Sequence, residues 1–194
     1  MVWLRAAWAL LGGTTAYALM ENEKKVVQKE LLRPPGALEE EQFVGTCIRC
    51  GRCERDCPHQ AIKMATDVVG QAAGTPYIVA RENPCQLCGD FPCVATCPSG
   101  ALQPIRKNQD IHMGTAVIDE QACLSWKGMR CEICYRKCPL IDKAIFLEIL
   151  HNEKTDYHAE FRPHVNPEEC VGCGICEKAC PVQNAAIKVQ PRKG

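Results

Sequence analysis

The residues most able to do chemistry in this chain are its sixteen cysteines. They fall into four runs, each closed by a Cys-Pro pair. The first is Cys47, Cys50, Cys53 and Cys57 with Pro58, spaced C-x2-C-x2-C-x3-C-P, and the fourth repeats it as Cys170, Cys173, Cys176 and Cys180 with Pro181. Between them stand Cys85, Cys88, Cys93 and Cys97 with Pro98, then Cys123, Cys131, Cys134 and Cys138 with Pro139. Thiolates are soft ligands suited to iron–sulfur chemistry, and this tight run with its terminal Cys-Pro is a pattern that holds [4Fe–4S] cubanes. All sixteen cysteines are therefore candidate cofactor and metal ligands, enough for four [4Fe–4S] clusters.

Other uses of cysteine fit less well. A disulfide framework would close loops of two or three residues, which are strained and bring little entropic benefit. Structural zinc needs two C-x2-C pairs per ion and gives no role to a third cysteine at the same short interval. The middle runs leave more room for zinc, because four residues separate Cys88 from Cys93 and seven separate Cys123 from Cys131. Their repetition in register with the outer two argues for one shared chemistry.

The elements that must position these ligands repeat as well. After each Cys-Pro comes a small residue and a branched apolar one: Ala61-Ile62, Ala101-Leu102, Ala144-Ile145 and Ala186-Ile187. Short β-prone runs precede the last three quartets: Tyr77-Ile78-Val79, Ala116-Val117-Ile118, and residues 161–165. Each unit reads as strand, ligand loop, a turn of helix ending at Cys-Pro, and strand again. The predicted fold is α+β, with two ferredoxin-like halves of short strands and short helices around the clusters. In such a half the fourth cysteine of each run serves the partner's cluster. Consecutive pairing of runs and nested pairing both place the strands sensibly. Unit one lacks an obvious leading strand, since Glu39-Glu40-Glu41-Gln42-Phe43 reads as the start of a helix. The expected boundaries are a signal or anchor segment at 1–20, a linker and helix at 21–42, and a four-cluster region at 43–189. Its units span about 43–66, 77–105, 115–148 and 161–189.

Aromatic residues make up only 6% of the chain, so a conventional core would be thin and the clusters themselves would supply folding energy. The formal charge is zero, with 23 basic and 23 acidic residues. Four thiolate-bound oxidised cubanes would add about −2 each, roughly −8 in all. No basic face points to nucleic acid. The histidines stand outside the cysteine spacing, which argues against a Rieske-type ligand. His112, His151, His158 and His164 are expected at the surface, while His59, beside Cys57-Pro58, is an alternative candidate for a place near a cluster. No Ser/His/Asp set, phosphate-binding glycine loop or paired carboxylates stand out, so the chain reads as an electron-transfer subunit rather than an enzyme on its own.

Residues 6–20 are largely apolar, with Arg5 before them and Glu21-Asn22-Glu23-Lys24-Lys25 after. The stretch is short for a membrane span and suits a signal segment, with Ala16-Tyr17-Ala18 as a small-residue cleavage site. A protein exported with its clusters must cross folded, by a twin-arginine route. Trp3-Leu4-Arg5 is similar to the part that follows the arginine pair in such leaders, although no Arg-Arg is present. An arginine pair immediately before Val2 or Met1 is expected, with a non-cleaved anchor as the alternative.

Three stretches carry a family resemblance: Arg33-Pro34-Pro35-Gly36-Ala37-Leu38, Gly74-Thr75-Pro76-Tyr77, and residues 128–145, which run from Gly128 through Cys131, Cys134 and Cys138-Pro139 to Ile145. Over about residues 33–189 the chain resembles the ferredoxin-type NapG/MauM proteins, which accompany periplasmic nitrate reductase and methylamine dehydrogenase systems. The resemblance implies a periplasmic, membrane-associated protein with four [4Fe–4S] clusters. Its partners would be a multi-span membrane iron–sulfur protein of the NapH type, together forming a quinol dehydrogenase, and a downstream periplasmic redox enzyme or cytochrome. Two other roles suit the residues: the iron–sulfur subunit of a molybdopterin oxidoreductase, and a maturation factor for a partner redox enzyme.

Overall fold

The proline that closes each cysteine run also ends the helix before it. Proline disfavours helical backbone in the residue it follows. Accordingly Cys138 (ψ 125°) and Cys180 (ψ 126°) are extended where their helices stop. The computed structural model describes residues 31–66, 70–106, 111–153 and 158–192. The apolar N-terminal segment at 1–20 lies outside the described residues. Among those described, no helix is long and apolar enough to cross a membrane.

The helices are α1 (Glu40–Thr46), α2 (Arg52–Arg55), α3 (Pro92–Ala95), α4 (Ile133–Lys137) and α5 (Ile175–Ala179). The strands are β1 (Ile62–Met64), β2 (Pro76–Ile78), β3 (Gly114–Ile118), β4 (Ile145–Leu150), β5 (Glu160–Val165) and β6 (Ile187–Pro191). The third cysteine of every run is the second residue of its short helix: Cys53 in α2, Cys93 in α3, Cys134 in α4 and Cys176 in α5. This common register explains the irregular spacings. The extra residues of run two come before α3, where Phe91 turns the chain with φ 42° and Pro92 starts the helix. Those of run three come before Cys131, where 124–129 form turns.

Strand pairing decides how the runs associate. β1 pairs antiparallel with β2, joining the strand after run one to the strand before run two. β4 likewise pairs with β5, joining runs three and four. β3, before run three, pairs with β6, after run four. The runs therefore associate consecutively, one with two and three with four. The missing leading strand of unit one is supplied by an irregular strap. Ala37 bridges Leu102, the Leu32 carbonyl accepts from the Ile78 N–H at 2.8 Å, and that of Gly36 accepts from Gln103 at 2.6 Å. A side chain at 36 would meet the Gln103 carbonyl oxygen at 2.4 Å, and φ is +76°, so glycine is required there.

The compact unit begins at Leu31, and residues 31–35 are all buried. Arg33, only 6% exposed, pins the strap. Its guanidinium donates to both carboxylate oxygens of Glu40 (2.8 and 2.5 Å), to Thr75 Oγ1 (2.8 Å) and to the Pro76 carbonyl (2.9 Å). It also lies 4.8 Å from the centre of the Phe43 ring.

The Ala-Ile pairs occupy the positions their repetition implies. Ala61, Ala101, Ala144 and Ala186 are 1–3% exposed, and Ile62, Leu102, Ile145 and Ile187 are 3% exposed. Ile62, Ala101 and Leu102 join one buried cluster, and Ile145, Ala186 and Ile187 join another. One holds Leu32, Phe43, Ile62, Ile78, Val94 and Ile111, together with Val171 and Cys173 from the second half. The other holds Ala116, Ile145, Ala185 and Ile187. Among the predicted surface histidines, His112 and His151 are exposed and His158 is half-buried. His164 is half-buried, its ring stacked on Phe146 and edge-on to Trp126.

Candidate metal centre

The fold redistributes the sixteen cysteines into four sets, each taking three from one run and the last from its partner run. Site 1 brings Cys47, Cys50, Cys53 and Cys97 around a cavity of about 340 Å³ including its mouth, walled by Phe43, Met64, Pro76 and Leu102. Site 2 brings Cys57, Cys85, Cys88 and Cys93 around about 350 Å³, walled by Ile62, Ile78, Phe91 and Pro92. Site 3 brings Cys123, Cys131, Cys134 and Cys180 around about 370 Å³, with Ile118, Leu124, Pro163 and Ile187 as walls. Site 4 is the set Cys138, Cys170, Cys173 and Cys176, whose sulfurs lie within electrostatic reach of one another.

Local chemistry explains why the sulfurs point inward. Gly51 (φ 71°) and Gly174 (φ 86°) turn the chain into α2 and α5. The closing sulfurs then receive backbone donors from the small residues that follow. The Ala61 N–H donates to Cys57 Sγ and the Ala186 N–H to Cys180 Sγ, both at 3.4 Å. The Ala116 N–H donates to Cys170 Sγ at the same distance. In run two Ser99 Oγ also lies 3.8 Å from Cys97 Sγ.

Burial makes these sulfurs poor homes for an unpaired negative charge. Desolvation pushes the thiols of Cys53 and Cys85 up to about 11 and those of Cys93, Cys134 and Cys173 up to about 12. Neighbouring thiolates add to the same rise. Cys176 is raised further by burial and the same crowding. For Cys97 burial also acts upward, but donation from Leu102, Ser99 and Gly100 outweighs it and lowers the pKa. Bringing four such thiolates together requires compensating cations.

The donor sets fit [4Fe–4S] clusters. All sixteen cysteines are free of disulfides. At sites 1 to 3 the sulfurs surround cavities with apolar walls.

The halves are joined by contacts that no spacing rule announces. The Cys85 N–H donates to the Cys173 carbonyl at 3.0 Å. Arg81 reaches from the first half to the carbonyls of Glu177 (2.5 Å), Cys180 (2.8 Å) and Val182 (2.9 Å). Lys178 returns the contact by donating to the Glu82 carbonyl at 2.5 Å. Within the first half, the Thr96 hydroxyl donates to Asp56 at 2.6 Å, tying α2 to α3. Hydrogen bonds from Arg55 and Thr96 hold the Asp56 carboxyl down at about 2. His59, a candidate neighbour of a cluster from its place after Cys57-Pro58, lies on the wall of site 2.

Comparison with known proteins finds a cluster-binding domain in each half. A 4Fe-4S dicluster domain family matches residues 46–101 and 127–184, one match in each half. The ferredoxin-type protein NapG of Escherichia coli is 51% identical over 162 residues, covering 82% of this chain and 70% of that protein. NapG of Haemophilus influenzae is 45% identical over 96% of this chain and 68% of that protein. The methylamine utilization ferredoxin-type protein MauM of Methylobacillus flagellatus is 41% identical over 97% of this chain and 80% of that protein. Two dicluster modules, sixteen free cysteines sorted into sulfur-lined sites, and relatives covering most of the sequence place this chain in the NapG/MauM family of ferredoxin-type iron–sulfur electron-transfer proteins.

Proposed function

We propose that this protein is a four-cluster electron relay at the periplasmic face of a membrane, with one [4Fe–4S] cluster in each of sites 1 to 4. The observation that carries the reading is the regrouping of all sixteen cysteines into sets of four. A bound [4Fe–4S] cluster supplies one-electron redox chemistry at a potential set by hydrogen bonding, burial and charge. The chain supplies the rest. Cys47, Cys50, Cys53 and Cys97 bind at site 1, with the corresponding sets elsewhere. The apolar walls exclude water, and the N–H groups of Ala61, Ala116 and Ala186 hold charge on sulfur.

The relay works with a multi-span membrane iron–sulfur protein of the NapH type. The pair oxidises quinol and passes electrons to a periplasmic reductase, nitrate reductase in the NapG-type setting. Family membership and the apolar stretch at 6–20 support this placement. Export by a twin-arginine route follows from the need to cross the membrane with clusters already inserted. The test is anaerobic. Membranes containing the protein and its multi-span partner are offered quinol, and the visible cluster absorbance should bleach. If it does not, while dithionite still bleaches it, the quinol dehydrogenase role is wrong.

A further inference from the structure

We infer that the four sites form a single line in the order site 1, site 2, site 4, site 3, with electrons crossing between the halves at Cys85 and Cys173. This ordering rests on the four-cluster reading and goes beyond it, because it says which sites are interior and which are terminal. It is not the order of the cysteine runs along the chain.

Three junctions define the line. Sites 1 and 2 meet through α2 and α3, which pack together, with Cys53 of site 1 within electrostatic reach of Cys93 of site 2. Sites 4 and 3 meet through α5 and α4, which also pack together, with Cys176 within reach of Cys134. Sites 2 and 4 meet across the halves. There the Cys85 N–H donates to the Cys173 carbonyl at 3.0 Å, and both cysteines are 8% exposed.

The fit at the central junction is close enough to exclude even a methyl group. A side chain on Gly174 would stand 2.5 Å from Ala80 Cβ and 3.5 Å from Pro84 Cβ. Cys85, Cys93, Val171 and Cys173 belong to one continuous buried cluster that runs through it.

The two ends open outward. Cys50 of site 1 is exposed, unlike the other fifteen cysteines, and Ile48 beside it is 62% exposed. At site 3, Met129 and Ile133 flank Cys131 with 47% and 38% of their surface open. With a cluster held at each site, a hop would carry one electron from one site to its neighbour, the first site losing what the second gains, with no bond made or broken. An electron accepted at site 3 would reach site 1 only by way of sites 4 and 2.

The experiment is low-temperature electron paramagnetic resonance of the dithionite-reduced full chain, with iron analysis on the same samples. Wild type should hold about sixteen iron atoms, four per cluster; a lower count would overturn the four-cluster reading itself, separately from the ordering. Cys50→Ala removes a terminal site, and the three remaining spins should stay mutually coupled, giving one broad interaction spectrum. Cys88→Ala removes an interior site and should leave one of the three remaining spins, that of site 1, isolated, with a narrow, slowly relaxing signal. Cys170→Ala repeats the test from the second half and should isolate site 3, which keeps the ordering falsifiable if Cys88→Ala does not fold. An isolated spin in Cys50→Ala overturns the order. So does a fully coupled trio in Cys88→Ala or Cys170→Ala.

Discussion

The guanidinium of Arg81 lies 2.8 Å from the carbonyl oxygen of Cys180, so a side chain of the first half holds the closing cysteine loop of the second. Because the same group also grips Glu177 and Val182, Arg81→Ala removes several charge-assisted bonds and strands carbonyls at the junction. The expected cost is about 2–3 kcal/mol, measured by anaerobic denaturant unfolding of the cluster-loaded protein. Arg81→Lys should recover less than half of it, since an ammonium cannot fork across three carbonyls. An Arg81→Ala protein within about 0.5 kcal/mol of wild type would show that the clamp is unimportant.

Exchange of the last cysteine between runs gives an additive test. Cys123 and Cys180 line one site, whereas Cys170 belongs to another. The double variant Cys123→Ala/Cys180→Ala should lose one cluster and keep about twelve iron atoms. Cys170→Ala/Cys180→Ala should lose two and keep about eight. The reverse pattern would mean that each run binds its own cluster.

Two glycines with the same φ of +71° should respond differently. Around Gly51 nothing lies within 4 Å of an added Cβ, whereas at Gly172 the Cβ would stand 2.4 Å from Gly114 N and 2.5 Å from Gly114 O. Gly51→Ala pays only the left-handed backbone penalty, about 1–2 kcal/mol. Gly172→Ala must also displace the start of β3, which neighbours the Cys170 loop, and should lower iron content as well as stability. Equal thermal shifts for the two variants, with iron intact in both, would contradict this.

Much of this arrangement was legible in the cysteine spacing and in the Ala-Ile pairs, because both repeat and both answer to local geometry. Pairing of the runs was not, since consecutive and nested schemes demand the same strands. The contacts that decide between them, Ala37 with Leu102 and Ile62 with Ile78, use ordinary apolar residues that carry no partner label. The strap at 31–38 was hidden for a related reason: two prolines and a glycine spoil the alternation that marks a strand. Arg81 and Gly174 were invisible as well, because a lone arginine bonding carbonyls and a glycine facing Ala80 have no periodic signature.

Removing the clusters should unfold the protein cooperatively. Chelation ought to abolish near-ultraviolet circular dichroism and the melting transition together. Any compact cluster-free form should also be sensitive to alkali. Burial raises the Cys53, Cys85, Cys93, Cys134 and Cys173 thiols from 9.0 to about 11 or 12. Their stabilising effect is therefore fully present below pH 9 and is lost as pH rises through about 11 to 12. The loaded protein, with no thiol protons to lose, should lack this thiol-linked loss. A cluster-free chain that melts sharply, or one indifferent to pH 9–12, would contradict this account.

The exchange of closing cysteines also sets a timetable for synthesis. As the chain emerges N-terminus first, Cys47, Cys50 and Cys53 wait for Cys97, while Cys57 waits for Cys85, Cys88 and Cys93. The sulfur shells of sites 1 and 2 are thus both complete when Cys97 has been made. Site 4 then fills at Cys176 and site 3 only at Cys180, four residues later. The ligand sets are therefore completed in two bursts, each finishing a pair of sites almost at once, and a nascent chain stalled between them has every cysteine for one half and neither full set for the other.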